Sequence, residues 1–144
     1  MIIFGVCPDC KEPNTGDAWC KECDPGKFLK EGKTSGIPEI DNLIYESQLK
    51  TEDYYYNLEW IHYDRFQDIK SIGEGGFASI YSATWLDGKP KIGETTKKRS
   101  KPIKVALKKL KNSKNMEVFI NEVNYFKIIK SFNLLLVITF FYCH

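Results

Sequence analysis

Ile72-Gly-Glu-Gly-Gly-Phe-Ala-Ser-Ile-Tyr81 sets three glycines at a turn between two extended runs. The run before it, Phe66-Gln-Asp-Ile-Lys-Ser-Ile72, alternates loosely. The run after it continues to Trp85 and places Phe77, Ser79, Tyr81, Ala83 and Trp85 on one side. Two alternating runs about a glycine-rich turn predict a β-hairpin. Asp87-Gly88 marks a further turn, residues 89–104 form a polar, basic loop, and residues 103–110 read as a third strand. Beyond it, Met116, Phe119, Ile120, Val123, Phe126 and Ile129 recur every three or four positions, which predicts an amphipathic helix over 115–130. Ser113 or Asn115 is placed to cap it.

Glycines at a turn usually serve only to reverse the chain, so the loop is weighed against other phosphate-binding loops. A dinucleotide-binding loop runs from a strand into a helix. Here Ser79-Ile-Tyr-Ser-Ala-Thr-Trp85 follows, and its residues suit a strand. A Walker A loop ends in Gly-Lys-Ser or Gly-Lys-Thr, and neither is present. A glycine-rich loop inside one hairpin is the arrangement that covers ATP in protein kinases.

The company the loop keeps carries a resemblance. After it come Val105-Ala-Leu-Lys108 and then Phe119-Ile-Asn-Glu122-Val, on a predicted strand and a predicted helix. In order, the three resemble the glycine-rich loop, the third-strand Val-Ala-Ile-Lys motif and the helix C glutamate of protein kinases. The likeness is nearest to the tyrosine-kinase-like group, in its expanded fungal form, and spans roughly residues 60–123. It implies an α+β fold: part of a kinase N-lobe with an antiparallel sheet and helix C. It also implies ATP as the ligand, with Mg²⁺ in the complete family. The backbone of Gly73, Glu74, Gly75, Gly76, Phe77, Ala78 and Ser79 would cover the phosphates, with Phe77 at the tip. Ala78 stands where many kinases have a third glycine. Ile72 and Ile80 would frame the adenine, with Ala106 on the same wall. Lys108 would hold the α- and β-phosphates and Glu122 would pair with it; Glu117 is the weaker rival. An exposed strand lysine is the plain alternative for Lys108.

The sequence contains neither His-Arg-Asp nor Asp-Phe-Gly, so it offers no catalytic base and no matched Mg²⁺ ligand. The family pattern fades after Val123, and residues 131–144 form an apolar tail of uncertain origin: a buried strand, an unpaired hydrophobic tail, or a stretch not evolved as core. The expectation is an ATP-binding lobe of a Ser/Thr kinase, inactive on its own. The alternative is a non-catalytic protein-interaction module. The protein substrate or partner is not legible.

The N-terminal segment has its own chemistry. Cys7-Pro-Asp-Cys10 and Cys20-Lys-Glu-Cys23 are two Cys-x-x-Cys pairs separated by nine residues. Four thiolates so spaced suit one tetrahedral Zn²⁺. A redox pair or unligated thiols are the alternatives. The spacing somewhat resembles small zinc ribbons and RanBP2-type fingers, some of which bind RNA or ubiquitin. The acidic side chains of Asp9, Glu12, Asp17, Glu22 and Asp24 are unfriendly to phosphate backbones, so a structural or protein-binding role is expected.

The organisation read from these features is a cysteine module over 1–24, a linker with an amphipathic helix over 25–64, the partial lobe over 65–130, and the tail. In the linker, Ile40, Leu43, Ile44 and Ser47 fall at helical spacing behind Pro38. The rings of residues 54–63 are expected to pack on the sheet. Among 144 residues, 21 basic and 19 acidic side chains leave a net charge of +2, which argues against nucleic acid as the main partner. The start lacks the basic region of a secretory signal, and the apolar run at 132–143 is too short to span a bilayer. A reducing compartment follows, the cytoplasm first and the nucleus second. Lys97-Lys-Arg99-Ser-Lys101 looks like an import signal, and more so like a solvated hairpin tip.

Overall fold

A computed structural model describes residues 3–54, 58–76, 78–91, 98–110 and 136–139. The chain divides into two compact units, Met1–Tyr63 with Gly88–Lys101 and Asp64–Asp87 with Pro102–His144. Together they make an α+β protein.

The first unit contains the cysteine pairs, a single helical turn α1 (Lys27–Lys30) and helix α2 (Pro38–Lys50). Pro38 stands at the first position of α2, and Glu39 and Asp41 lie in its first turn, where carboxylates favour the helix dipole. Asp41 also accepts hydrogen bonds from the Ser35 backbone N–H at 2.9 Å and hydroxyl at 2.7 Å, which fixes the entry of the chain. The buried face of α2 is Ile40, Asp41, Ile44, Ser47 and Gln48. Two of these are the apolar positions that the spacing predicted. The polar members bind backbone. Gln48 Oε1 accepts from Gly26 N–H at 2.9 Å, and Ser47 Oγ accepts from Leu58 N–H at 2.9 Å. The stretch read as a linker therefore carries a helix that is packed within this unit.

The loop between the second and third strands also belongs here. It folds into a short ladder with Lys91 N–H bonded to Lys98 C=O at 2.9 Å and Ser100 N–H to Lys89 C=O at 2.7 Å. Gly88 opens it with φ of +66°, and an added Cβ would lie 2.5 Å from the Lys101 carbonyl. The tip itself, residues 92–97, lies outside the described residues, and Lys98, Arg99 and Lys101 beside it are exposed. Arg99 is drawn in, pairing with Glu59, donating to the Gly88 carbonyl at 3.1 Å and lying 5.7 Å from the Tyr54 ring centre.

The second unit is a sheet in the order β1-β2-β3-β4, with β1 (Phe66–Glu74), β2 (Ala78–Trp85), β3 (Ile103–Leu110) and β4 (Leu136–Thr139). The first three are antiparallel, at the positions that alternation predicted. Directly opposed residues share a face, and here one face is core: Ala83 opposes Val105, Trp85 opposes Ile103 and Tyr81 opposes Leu107. Trp85, Ala83, Val105 and Leu107 are buried, each large one contributing about 1.5–3 kcal/mol relative to exposure. A paired Arg65 and Asp87, with bonds of 2.8 and 3.0 Å, closes the base of the β1–β2 hairpin. The fourth strand adds a parallel neighbour to the expected antiparallel sheet. Leu136–Thr139 runs parallel to β3. A parallel neighbour needs a crossover of about a dozen residues or more, and residues 111–135 are long enough to supply it. Part of the apolar tail is thus a strand.

The predicted helix over 115–130 lies outside the described residues. No helix among the described residues is long and apolar enough to cross a membrane.

Candidate functional site

The four N-terminal thiols converge. The Sγ atoms of Cys7, Cys10, Cys20 and Cys23 all lie within 4.8 Å of one another, and those of Cys10 and Cys20 are 3.8 Å apart. A tetrahedron of thiolates at a Zn–S length of about 2.3 Å has S···S edges of roughly 3.8 Å. A disulfide needs about 2.05 Å, and all four cysteines are free. The group can hold a metal ion.

Local backbone chemistry makes the two pairs. Around the first, Cys7 N–H bonds Glu12 C=O at 2.8 Å and Lys11 N–H bonds Cys7 C=O at 2.9 Å. The turn closes at Lys11 with φ of 66°, a conformation that non-glycine residues seldom adopt. Around the second, the N–H groups of Cys23 and Asp24 return to the Cys20 carbonyl at 3.2 and 2.9 Å. Asp24 then reaches back with its carboxylate to accept the buried Cys20 N–H at 2.6 Å. Cys7 and Cys20 are buried, Cys23 is half-buried and Cys10 is exposed.

The thiols differ in acidity. Burial pushes Cys7 up, but the N–H groups of Cys10 and Asp9 outweigh it and leave the thiol below its usual value. Burial holds Cys20 above its usual value against the N–H groups of Cys23 and Glu22. Burial and the neighbouring thiols of Cys10, Cys20 and Cys7 push Cys23 up to about 12. Four thiols crowded together resist sharing negative charge, and a cation at their centre would remove that resistance.

The glycine-rich segment is the second place where predicted site residues meet. Ile72, Gly73 and Glu74 end β1, Gly75 and Gly76 form the turn, and Ala78, Ser79 and Ile80 begin β2. Glu74 opposes Ser79 and accepts its hydroxyl at 3.2 Å, which closes the loop. Ser79 lies on the core face and is 8% exposed. On the opposite face, Ile80 opposes Lys108 and Ser82 opposes Ala106. Ile80, Ala106 and Lys108 therefore share the open face of β2 and β3, all half-buried. Ile72 is 61% exposed, at an irregularity in the β1–β2 register. A Cβ at Gly73 or Gly76 would meet nothing within 4 Å, and neither has the left-handed φ that favours glycine. Phe77, Glu117 and Glu122 lie outside the described residues.

Two features escaped the sequence reading. Arg99 was hidden in a basic run that looks solvated. Asp24 stands one residue past the second cysteine pair, and that position was its only signal.

No family model matches the chain, and neither a curated protein nor a solved structure does.

Proposed function

We propose that the second unit is the glycine-loop end of a protein-kinase-like lobe that binds ATP, and that the cysteine cluster holds a structural Zn²⁺ ion. The observation that carries the nucleotide reading is the shared open face of Ile80, Ala106 and Lys108 beside the glycine loop. That face offers an apolar wall for adenine and one compact cation for phosphate. Bare backbone at Gly73 and Gly76 fits the same reading, because these glycines are not needed for space or for φ. Ile72 would add to the wall and Glu122 would position Lys108. Bound ATP would supply the transferable phosphoryl group and its Mg²⁺. No residue of this chain is assigned to the transfer, since the sequence has neither His-Arg-Asp nor Asp-Phe-Gly.

Equilibrium binding of a fluorescent ATP analogue to the whole chain tests this. Lys108→Ala should weaken binding by about ten-fold or more, as expected for a lost charge-assisted contact. Lys104→Ala removes an exposed lysine from the same face and should have little effect. Equal effects of the two would reject the reading. The absence of catalytic motifs favours a second reading, a non-catalytic interaction module, which stands if no nucleotide binds. For the metal, one equivalent of zinc in the purified protein is expected, and none in Cys20→Ser.

A further inference from the structure

The two cysteine pairs are built alike except at one bond. In each, backbone N–H groups within the pair donate to the first thiol, those of Asp9 and Cys10 to Cys7 and those of Glu22 and Cys23 to Cys20. In each, the carbonyl of the first cysteine accepts the N–H four residues on, Lys11 at 2.9 Å and Asp24 at 2.9 Å. The difference lies in the first cysteine's own N–H. Cys7 gives it to the Glu12 carbonyl at 2.8 Å. Cys20 gives it to the Asp24 carboxylate at 2.6 Å. Main chain closes the first turn, so the side chain at position 12 is not needed for it. A side chain closes the second.

Asp24 is only 9% exposed. Burying a carboxylate is costly unless it is hydrogen-bonded, and a buried N–H left without an acceptor is costly too. The Cys20 bond answers both demands. The main chain then carries the turn into the rest of the unit. The Asp24 carbonyl accepts the Lys27 N–H at 3.1 Å, where α1 begins, and Gly26 N–H reaches Gln48 of α2 at 2.9 Å.

We infer that Asp24 is a positioning residue for the metal. Its carboxylate oxygen holds the Cys20 N–H, and so holds the second pair in the turn that lets both of its thiols meet one ion. The inference rests on the zinc reading of the cluster. The acceptor oxygen acts here, not the charge. Four thiolates around Zn²⁺ are negative in sum, and a further carboxylate beside like charge opposes it.

Competition with a chromophoric chelator measures the zinc affinity of the full chain and its variants. Asp24→Ala removes the acceptor and should weaken zinc by about 10–100-fold, the usual loss for a group that orients a metal ligand. Asp24→Glu keeps the charge but displaces the carboxylate by one methylene, and should weaken it by about ten-fold or more. Asp24→Asn removes the charge but keeps an oxygen in place, and should stay within about three-fold of the unmodified chain. Asp9→Ala removes an exposed carboxylate from the first pair and should do the same. The second readout is the Cys20 amide proton of the ¹⁵N-labelled, zinc-loaded chain. Its resonance should move upfield in Asp24→Ala and Asp24→Glu while that of Cys7 stays in place, which a general loss of stability would not produce. Zinc affinity within three-fold in Asp24→Ala would overturn the inference. So would Asp24→Asn binding as weakly as Asp24→Ala, or an unmoved Cys20 resonance in Asp24→Ala. If Asp24→Ala does not fold with zinc, the contrast between Asp24→Glu and Asp24→Asn decides. An unmodified chain that binds no zinc rejects the metal reading itself, and the inference with it.

Discussion

Stripping the metal from the cysteine cluster should remove about half of the first unit's stability. Among the described residues, the apolar side chains this unit buries are Cys7, Trp19, Cys20, Ile40 and Ile44, and two of the five are proposed ligands. The other three contribute about 1.5–3 kcal/mol each by burial, while ordering each residue costs about 1 kcal/mol or more. Modules of this size rarely net more than about 3–5 kcal/mol from their cores. A metal present at a thousand times its Kd adds about 4 kcal/mol, so it supplies as much as the core does. At about 4–8 °C per kcal/mol for a domain of this size, chelation should lower the melting temperature of the first unit by roughly 15–30 °C. Near-ultraviolet circular dichroism follows Trp19, which flanks Cys20, and calorimetry of the full chain with zinc and after chelation gives the shift. A chelated protein that keeps its aromatic signal and melts within about 5 °C of the loaded one would refute the reasoning. The unit would then be held by packing, and the thiol geometry would be incidental.

Acid should empty the site before it unfolds the sheet. Metal binding requires thiolates, and Cys23 without a cation is held up at about 12, so the bound state carries fewer protons than the free one. Affinity is then greatest at high pH and is lost as pH falls, by up to about ten-fold per pH unit for each proton released; zinc release to a chromophoric chelator between pH 8 and 5 measures it. Gly16→Ala should destabilise the first unit by about 1–3 kcal/mol, because its Cβ would sit 1.9 Å from the Glu52 carbonyl oxygen, and a thermal melt of the zinc-loaded variant checks this. Gly73→Ala and Gly76→Ala should change stability by less than about 1 kcal/mol yet weaken binding of the ATP analogue, a split that thermal melts and binding isotherms report together.

What could be read from the sequence was what local pattern determines. The strands β2 and β3 carry a period of two because one face is core, and Ala83, Trp85, Val105 and Leu107 sit where that period puts them; in β1 only Phe66 is buried. Ile40 and Ile44 were legible for the same reason at a helical period. The cysteine pairs were legible because two thiols with two residues between them can reach one point whatever surrounds them. What could not be read depends on distant partners. Residues 136–139 belong to an apolar run without alternation, which names neither a face nor a neighbour, so their parallel pairing with β3 was not legible. Arg99 takes its place from Glu59, forty positions earlier, and nothing within a short window separates it from the lysines beside it.

The glycines divide by the same test, and the division bears on function. At Gly16 a side chain would strike the Glu52 backbone, and at Gly88 it would strike Lys101 and strain a left-handed φ. The fold itself demands glycine there. Gly73 and Gly76 are under no such demand, since they have open space and ordinary φ. Glycine also costs stability in a strand end, through the entropy of the unfolded chain. A residue that costs stability and that the fold does not require has its reason outside the fold. Here the strand pairing offers one: Gly73 opposes Ile80, and Ile80 opposes Lys108. The bare backbone thus stands beside Ile80, and Lys108 stands on the far side of it. A molecule whose phosphates approach the loop backbone and whose charge meets Lys108 would use both features at once, and a structural turn would use neither.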